Sequence, residues 1–191
     1  TAEELSEYET PSYPLTKETR PELLPRLKDC DSLILADFGK DAFGQLELTL
    51  SSFREDTLTI SLGECLKDGR IDRSPGGARR FLRQTLTVLP GRHSYGIAVP
   101  SNRGNTGRSA VKMPCCIGEV MPFRYCEIEG DDLNYRNIRI CRQTVQYPFD
   151  DSSSAFSCSD TVLQKVWNLC AHSVKATSFA GLYVDGDRER I

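Results

Sequence analysis

The feature that most constrains this chain is a change of period. From Leu33 to Tyr147 apolar residues recur at every second position, and past Asp150 they recur at the three-to-four spacing of a helix. Leu46, Leu48 and Leu50 alternate with Glu47 and Thr49, and Leu58, Ile60 and Leu62 alternate with Thr57, Thr59 and Ser61. Successive side chains of a strand point to opposite faces, so such segments bury one face and wet the other. The run Leu33-Ile34-Leu35, then Leu82, Leu86 and Val88, Ile97 and Val99, and Arg124, Cys126 and Ile128 read in the same way. Ile138 and Ile140 share a face of the next segment. Apolar parity then passes to Val145 and Tyr147, which predicts a bulge or bend near Cys141 to Thr144. Many short strands punctuated by Gly and Pro predict a mainly β fold, an antiparallel β-sandwich of jelly-roll type.

After the switch, Val162, Leu163, Val166, Trp167, Cys170 and Val174 form one stripe of an amphipathic helix over about Asp160 to Ala176. Ser157 or Ser159 is suited to accept a bond from its first free amides. Trp167, the single tryptophan, is expected as a core anchor, and His172 as a surface or internally satisfied residue. One helix after a sandwich has little to pack on. The chain is therefore expected to be the front part of a longer protein, or the helix to dock back on the sandwich. At the other end, Pro11, Pro14, Pro21 and Pro25 interrupt a stretch charged by Glu3, Glu4, Glu7 and Glu9. Proline lacks the amide proton of a ladder, so an arm without regular structure is expected there. The organisation read from these shifts is an arm over 1–32, a β-sandwich over 33–149, and a linker with one helix over 150–191.

Composition sets limits on partners. Of 191 residues, 39% are hydrophobic and 27% charged, which suits a globular chain and not a disordered tail. Lys and Arg number 24 against 27 Asp and Glu, a net charge of -3, so nucleic acid is not expected as the partner. No apolar run approaches the ~20 residues of a membrane span, and no signal peptide is visible. The chain begins at Thr1 and not at Met. Processing of an exported protein would explain that start, so a periplasmic or secreted location is favoured and a cytoplasmic one stays open. Eight cysteines are present (Cys30, Cys65, Cys115, Cys116, Cys126, Cys141, Cys158 and Cys170), none in C-x-x-C spacing, with only His93 and His172 to supply imidazole. No metal site and no cofactor are expected on these spacings, and most of the cysteines read as buried small hydrophobes. Two loops, 68–80 and 100–109, are rich in Gly and Arg. They read as rims for an anionic or polyhydroxylated ligand, or as solvated connections.

The densest ionisable cluster is the segment 183–191, where Asp185, Asp187 and Glu189 alternate with Arg188 and Arg190. An acid tuned by neighbouring charges can donate a proton, and an arginine fork beside carboxylates can fix sugar hydroxyls. On pattern alone such a charged segment reads first as a solvated one.

Four segments in order resemble one family. Asp37-Phe38-Gly39-Lys40-Asp41-Ala42-Phe43-Gly44, followed by Leu46 to Leu50, is similar to the D-F-G-x-x-x-x-G strand signature of bacterial α-L-rhamnosidases. Phe123 to Gly130 is similar to that family's last sandwich strands. Phe156-Ser157-Cys158-Ser159-Asp160 with Leu163, Val166 and Trp167 resembles its F-x-x-S-D-x-x-L-x-x-V/I-W approach to the first barrel helix. Tyr183 to Arg190 resembles its acidic motif. The resemblance implies a β-sandwich followed by the start of an α-helical barrel. It also implies an inverting glycoside hydrolase that removes terminal α-L-rhamnose from a carbohydrate substrate. Such enzymes hold two carboxyl groups ~6.5–9.5 Å apart, one protonating the leaving oxygen and the other activating a water. Carried over by motif, Glu189 is the general acid, and Asp185 or Asp187 with Arg188 grips the rhamnose hydroxyls. The general base falls outside these residues, so the 191-residue chain is expected to be inactive alone and to need the remainder of its barrel. The alternative is a non-catalytic carbohydrate-binding or packing sandwich, with Tyr95, Arg103, Tyr125 or Tyr135 against a sugar.

Overall fold

The computed structural model describes residues 32–101, 113–131 and 138–178 in full, and the backbone alone of 16–19, 22–23, 136–137, 179 and 182–183. Its strands are β1 (Thr16–Thr19), β2 (Glu22–Leu23), β3 (Leu33–Ser52), β4 (Asp56–Gly63), β5 (Leu66–Lys67), β6 (Arg70–Ile71), β7 (Phe81–Val88), β8 (Gly91–Ile97), β9 (Met121–Glu129) and β10 (Arg136–Val145). Helix α1 (Thr161–Ala176) follows, then the pair β11 (Ser178–Phe179) and β12 (Leu182–Tyr183). All pairings are antiparallel. Strand order is β1-β10-β3-β9-β4-β7, with β2 and β8 also paired to β3.

The 20-residue β3 organises the rest. Its first part pairs with β9 and β2, its second with β10 and β8. The sheet therefore curls about β3 into a sandwich, as the alternation predicts. Even-numbered residues of β3 point inward on either side of its middle: Ile34, Ala36 and Phe38, then Leu46, Leu48 and Leu50. They meet Leu58, Ile60 and Leu62 of β4 and Phe123, Cys126 and Ile128 of β9 in one core. Phe43 points the other way, into a smaller cluster with Met113, Val120 and Val145.

The D-F-G segment is where β3 leaves regular pairing. Asp37 pairs with Tyr125 and Ala42 with Phe123, so Phe38 to Asp41 bulge out of the ladder. Gly39 sits at φ +78°, a conformation glycine adopts at no steric cost, and its amide donates to the Asp37 carboxylate at 2.7 Å. The closing Gly44 has a different reason. A Cβ there would stand 2.5 Å from the Gln143 carbonyl oxygen, so only glycine lets β10 approach.

The structure corrects several expectations. Part of the proline-rich arm is regular: β1 pairs with β10 and β2 with β3. The register shift of β10 lies between Arg136 and Arg139, and from Arg139 to Thr144 the pairing with β3 is continuous. Residues 140–142, 144 and 145 are all buried, because Phe43's cluster covers the second face of the sheet. Parity changes there without a bulge.

Helix α1 spans the predicted residues, but its N-cap is Asp160, which accepts from the amides of Val162 (2.8 Å) and Leu163 (3.3 Å). Asp160 stands nearest the first free amides, so neither Ser157 nor Ser159 is needed. None of the helix's residues is fully buried. Trp167 is 37% exposed and stacks on Phe156, with ring centroids 5.3 Å apart, in place of anchoring a core. The cysteines follow the same division. Cys126 and Cys141 are buried in the sandwich, whereas Cys115, Cys116, Cys158 and Cys170 are exposed and Cys65 half-buried. No two of the seven described cysteines are joined in a disulfide, and Cys30 lies outside the described residues. Among the described residues no helix is long and apolar enough to cross a membrane.

Candidate functional site

Helix α1 rests on the bulge of β3. His172 Nε2 stands 2.7 Å from the Asp41 carbonyl oxygen, so that nitrogen carries the proton. Beyond the helix, the Tyr147 amide donates to the Ser178 carbonyl at 2.7 Å, tying its end to the strand that precedes it. Between helix and bulge lies a cleft of about 670 Å³. Its floor is Asp41 and Glu64, its apolar walls include Phe43, Pro122 and Leu169, and Lys40, Arg79 and Lys165 stand around it.

Two aspartates four positions apart meet opposite surroundings. Asp37 receives a two-pronged bond from Arg124, Nε to Oδ1 and Nη2 to Oδ2 at 2.8 Å each. That fork, helped by the Gly39 amide, holds its carboxyl below the usual carboxylate range. Asp41 is pushed above it by burial, although a bond to Glu64, the Arg142 charge and the Ala42 amide pull the other way. The Asp41 Oδ1 is buried without a hydrogen-bond partner. Glu64 also accepts from the Arg80 amide, which fixes the far wall.

Arg142 lies beneath this floor, 3% exposed. Its Nη1 donates to the carbonyls of Lys40 (2.9 Å) and Phe123, and its Nε to Thr144 Oγ1 at 3.2 Å. The guanidinium lies over the rings of Phe38 (4.9 Å) and Phe123 (5.5 Å). Burial brings its pKa down to about 10 against the opposing pull of Asp41 and Asp37. The bulge is thus pinned from below by a cation that donates to its backbone.

Two arginines of the 68–80 loop, Arg70 and Arg73, serve the fold. Fully buried Glu127 takes a fork from Arg70 (2.9 and 3.0 Å) and the amide of Ile71 (2.7 Å). Arg70, Arg73 and Arg83 all reach Glu129. These contacts fasten the 64–80 loop over β9, so Arg70 and Arg73 are not free to serve as a ligand rim.

The residues singled out in the sequence are distributed as follows. Asp185, Asp187, Arg188 and Glu189 lie outside the described residues, as do Arg103 and Tyr135. Tyr95 accepts from the Leu89 amide at 2.9 Å, and Tyr125 lies under Arg124 at 4.9 Å, so both aromatics have local partners. His172 is satisfied by Asp41. The sequence reading missed Asp41, Glu64 and Arg142. Asp41 was within reach, since an acid two residues past the D-F-G glycine interrupts an inward-facing strand. Glu64 and Arg142 carry no local signal, because only tertiary pairing brings β4 and β10 to the bulge. Among the described residues no group of three or more His, Cys, Asp and Glu side chains is arranged to hold a metal ion.

No family model matches the sequence. No curated protein matches it. Among solved structures the chain is similar to a GH78 family rhamnosidase of Bacillus sp. GL1, with 18% identity and a TM-score of 0.56 over 89% of this chain. It is also similar to a rhamnosidase from Klebsiella oxytoca with rhamnose bound, with 16% identity and a TM-score of 0.50 over 92% of this chain. The matched part is 16% of the first neighbour's length and 37% of the second's. At these identities the shared property is the fold, sandwich and helix together.

Proposed function

We propose that this chain is the front part of a glycoside hydrolase that removes terminal α-L-rhamnose from glycans or glycosides by an inverting, two-carboxylate mechanism. The observation that carries this reading is the fold shared with two rhamnosidase structures over 89% and 92% of the chain. The order of the four motif segments supports it, because sandwich strands, helix approach and acidic segment follow one another as in that family. The outward apolar stripe of α1 supports it too, since further helices of a barrel would cover it. In this reading residues 33–149 buttress the barrel and 150–191 open it.

Glu189 then protonates the glycosidic oxygen, while Asp185 or Asp187 with Arg188 holds the sugar hydroxyls through charge-assisted bonds. The acids of the described cleft do not replace that pair. Asp41 and Glu64 stand side by side, whereas inversion needs ~6.5–9.5 Å between carboxyl groups to admit a water. The base comes from outside the 191 residues, and the chain alone is inactive.

The test is hydrolysis of an aryl α-L-rhamnoside by the full reading-frame product, with Glu189→Gln and the 191-residue chain beside it. The wild type releases rhamnose, Glu189→Gln slows release by about 10²–10⁴-fold, and the chain alone shows none. A well-folded full product with no activity would remove the hydrolase reading and leave the architecture.

A further inference from the structure

We infer that the cleft between the β3 bulge and helix α1 is a binding subsite for a hydroxylated carboxylate of sugar size, a sugar acid. The inference goes beyond the hydrolase reading and does not rest on it. The cleft's volume of about 670 Å³ suits one or two sugar rings, within the ~300–1,000 Å³ of small-molecule sites. Leu169 and Pro122 offer apolar surface for a ring's carbon face.

Its polar groups are of two kinds. On the floor, the carboxyls of Asp41 and Glu64 stand side by side, and carboxylate oxygens are hydrogen-bond acceptors. Asp41 Oδ1 has no donor among the described residues, so a small turn of this carboxyl would present it to a ligand hydroxyl. Around the floor stand three cations, Lys40, Arg79 and Lys165. Arg79 donates to the Gly76 carbonyl at 3.0 Å and reaches Cys65 Sγ at 3.8 Å, but pairs with no carboxylate among the described residues. No described carboxylate pairs with Lys40 or Lys165. Arg124, by contrast, is already engaged by Asp37.

This mixture selects against simpler ligands. A neutral sugar gives hydroxyls to the acids and leaves three cations without counter-charge. A plain anion satisfies the cations and sets its lone pairs against Asp41 and Glu64. A ligand carrying hydroxyls and a carboxylate on one ring meets both demands, with Arg79 suited to grip the carboxylate.

Titration of the 191-residue chain, followed by amide chemical shifts at constant ionic strength, decides the matter. The probes are D-glucuronate, D-glucose, acetate and a galacturonate dimer. D-Glucuronate is expected to bind saturably, at least roughly tenfold tighter than D-glucose or acetate, with shifts centred on 39–42 and 168–173. Arg79→Ala with Lys165→Ala removes two exposed side chains and is expected to weaken that binding by at least roughly tenfold with an unchanged circular dichroism spectrum. Tighter binding of the dimer assigns the source to a glycan chain, and equal binding to the free sugar acid. Equal binding of glucose, equal binding of acetate, no saturable binding, or indifference to the double variant each overturns the proposal. None of these readouts depends on hydrolysis, so a failure here leaves the hydrolase reading standing, and the reverse holds too.

Discussion

The sandwich and helix α1 draw on the same apolar residue types and use them in opposite ways. Leu48 of β3 is 0% exposed, whereas Leu163 and Leu169 of α1 are 52% and 64% exposed. Burial of a leucine side chain is worth about 1.5–3 kcal/mol, so the sandwich collects this along every strand and the helix hardly at all. What holds α1 is mostly polar: the Asp160 cap, the His172 bond to Asp41, and the Lys175–Asp151 pair. A 16-residue helix is marginal in water without a packed face. The comparison teaches that the sandwich sets the fold's stability, while α1 is positioned by its ends and one bond to the bulge.

The strongest way to break that contrast is to empty the core. Leu48→Ala is expected to cost about 3 kcal/mol, as a transfer loss plus an unfilled cavity. Urea denaturation would show it as a lower midpoint at unchanged slope. A loss below ~1 kcal/mol would mean that the core is looser than its burial indicates.

The next largest effect falls on the helix. Asp160→Ala removes the acceptor of two amides and is expected to cost about 1 kcal/mol of local helix stability. Hydrogen exchange resolves where: protection falls across 161–176 and stays unchanged in β3, β4 and β9. Equal loss in the strands would show that helix and sandwich unfold as one unit.

The smallest packing effect is on the exposed stripe. Leu163→Glu is expected to change the stability read from urea denaturation by less than ~0.5 kcal/mol in the 191-residue chain, because little apolar area is withdrawn from water there. Leu58→Glu, in the core, would abolish folding. If the full reading-frame product loses far more stability on Leu163→Glu than this chain does, the stripe has a partner in that product.

The same contrast explains what was legible in the sequence. Leu46 to Leu50 and Leu58 to Leu62 announce their faces because strand period and burial agree there. Helix α1 is equally legible as a helix, but its amphipathic pattern says only which residues seek a partner. It does not say whether one is present, so Trp167 and Cys170 read as core and stand exposed. The cap was ambiguous because Ser157, Ser159 and Asp160 are all acceptors and chain direction chooses among them. The bulge at Phe38 to Asp41 was legible only as a motif. The Asp41–Glu64 floor depends on register between strands far apart in sequence, and no local pattern encodes it.

A subtler test separates Asp37 from Asp41. Asp37 has its folded pKa depressed by the Arg124 fork, so its contribution is present above the ordinary carboxylate range, near pH 3.9, and is lost as pH falls through the lowered value. Asp41 has its folded pKa raised by burial, so its contribution is complete below that range and is lost as pH rises through the raised value. Glu64, Arg142 and His172 all face Asp41 and moderate this cost without reversing its sign. Replacing each by Asn fixes the side chain neutral. The deficit of Asp37→Asn relative to wild type is therefore expected to grow as pH rises from about 3 to 6, because the lost fork matters only when the acid would be ionised. Asp41→Asn is expected to gain on wild type over the same interval, because the variant never bears a buried charge. Urea midpoints of the three proteins across that range should diverge in opposite directions. Parallel curves would mean that Asp41 is relieved by the cleft opening to water, and the seam between bulge and helix would then be the looser of the molecule's two regions.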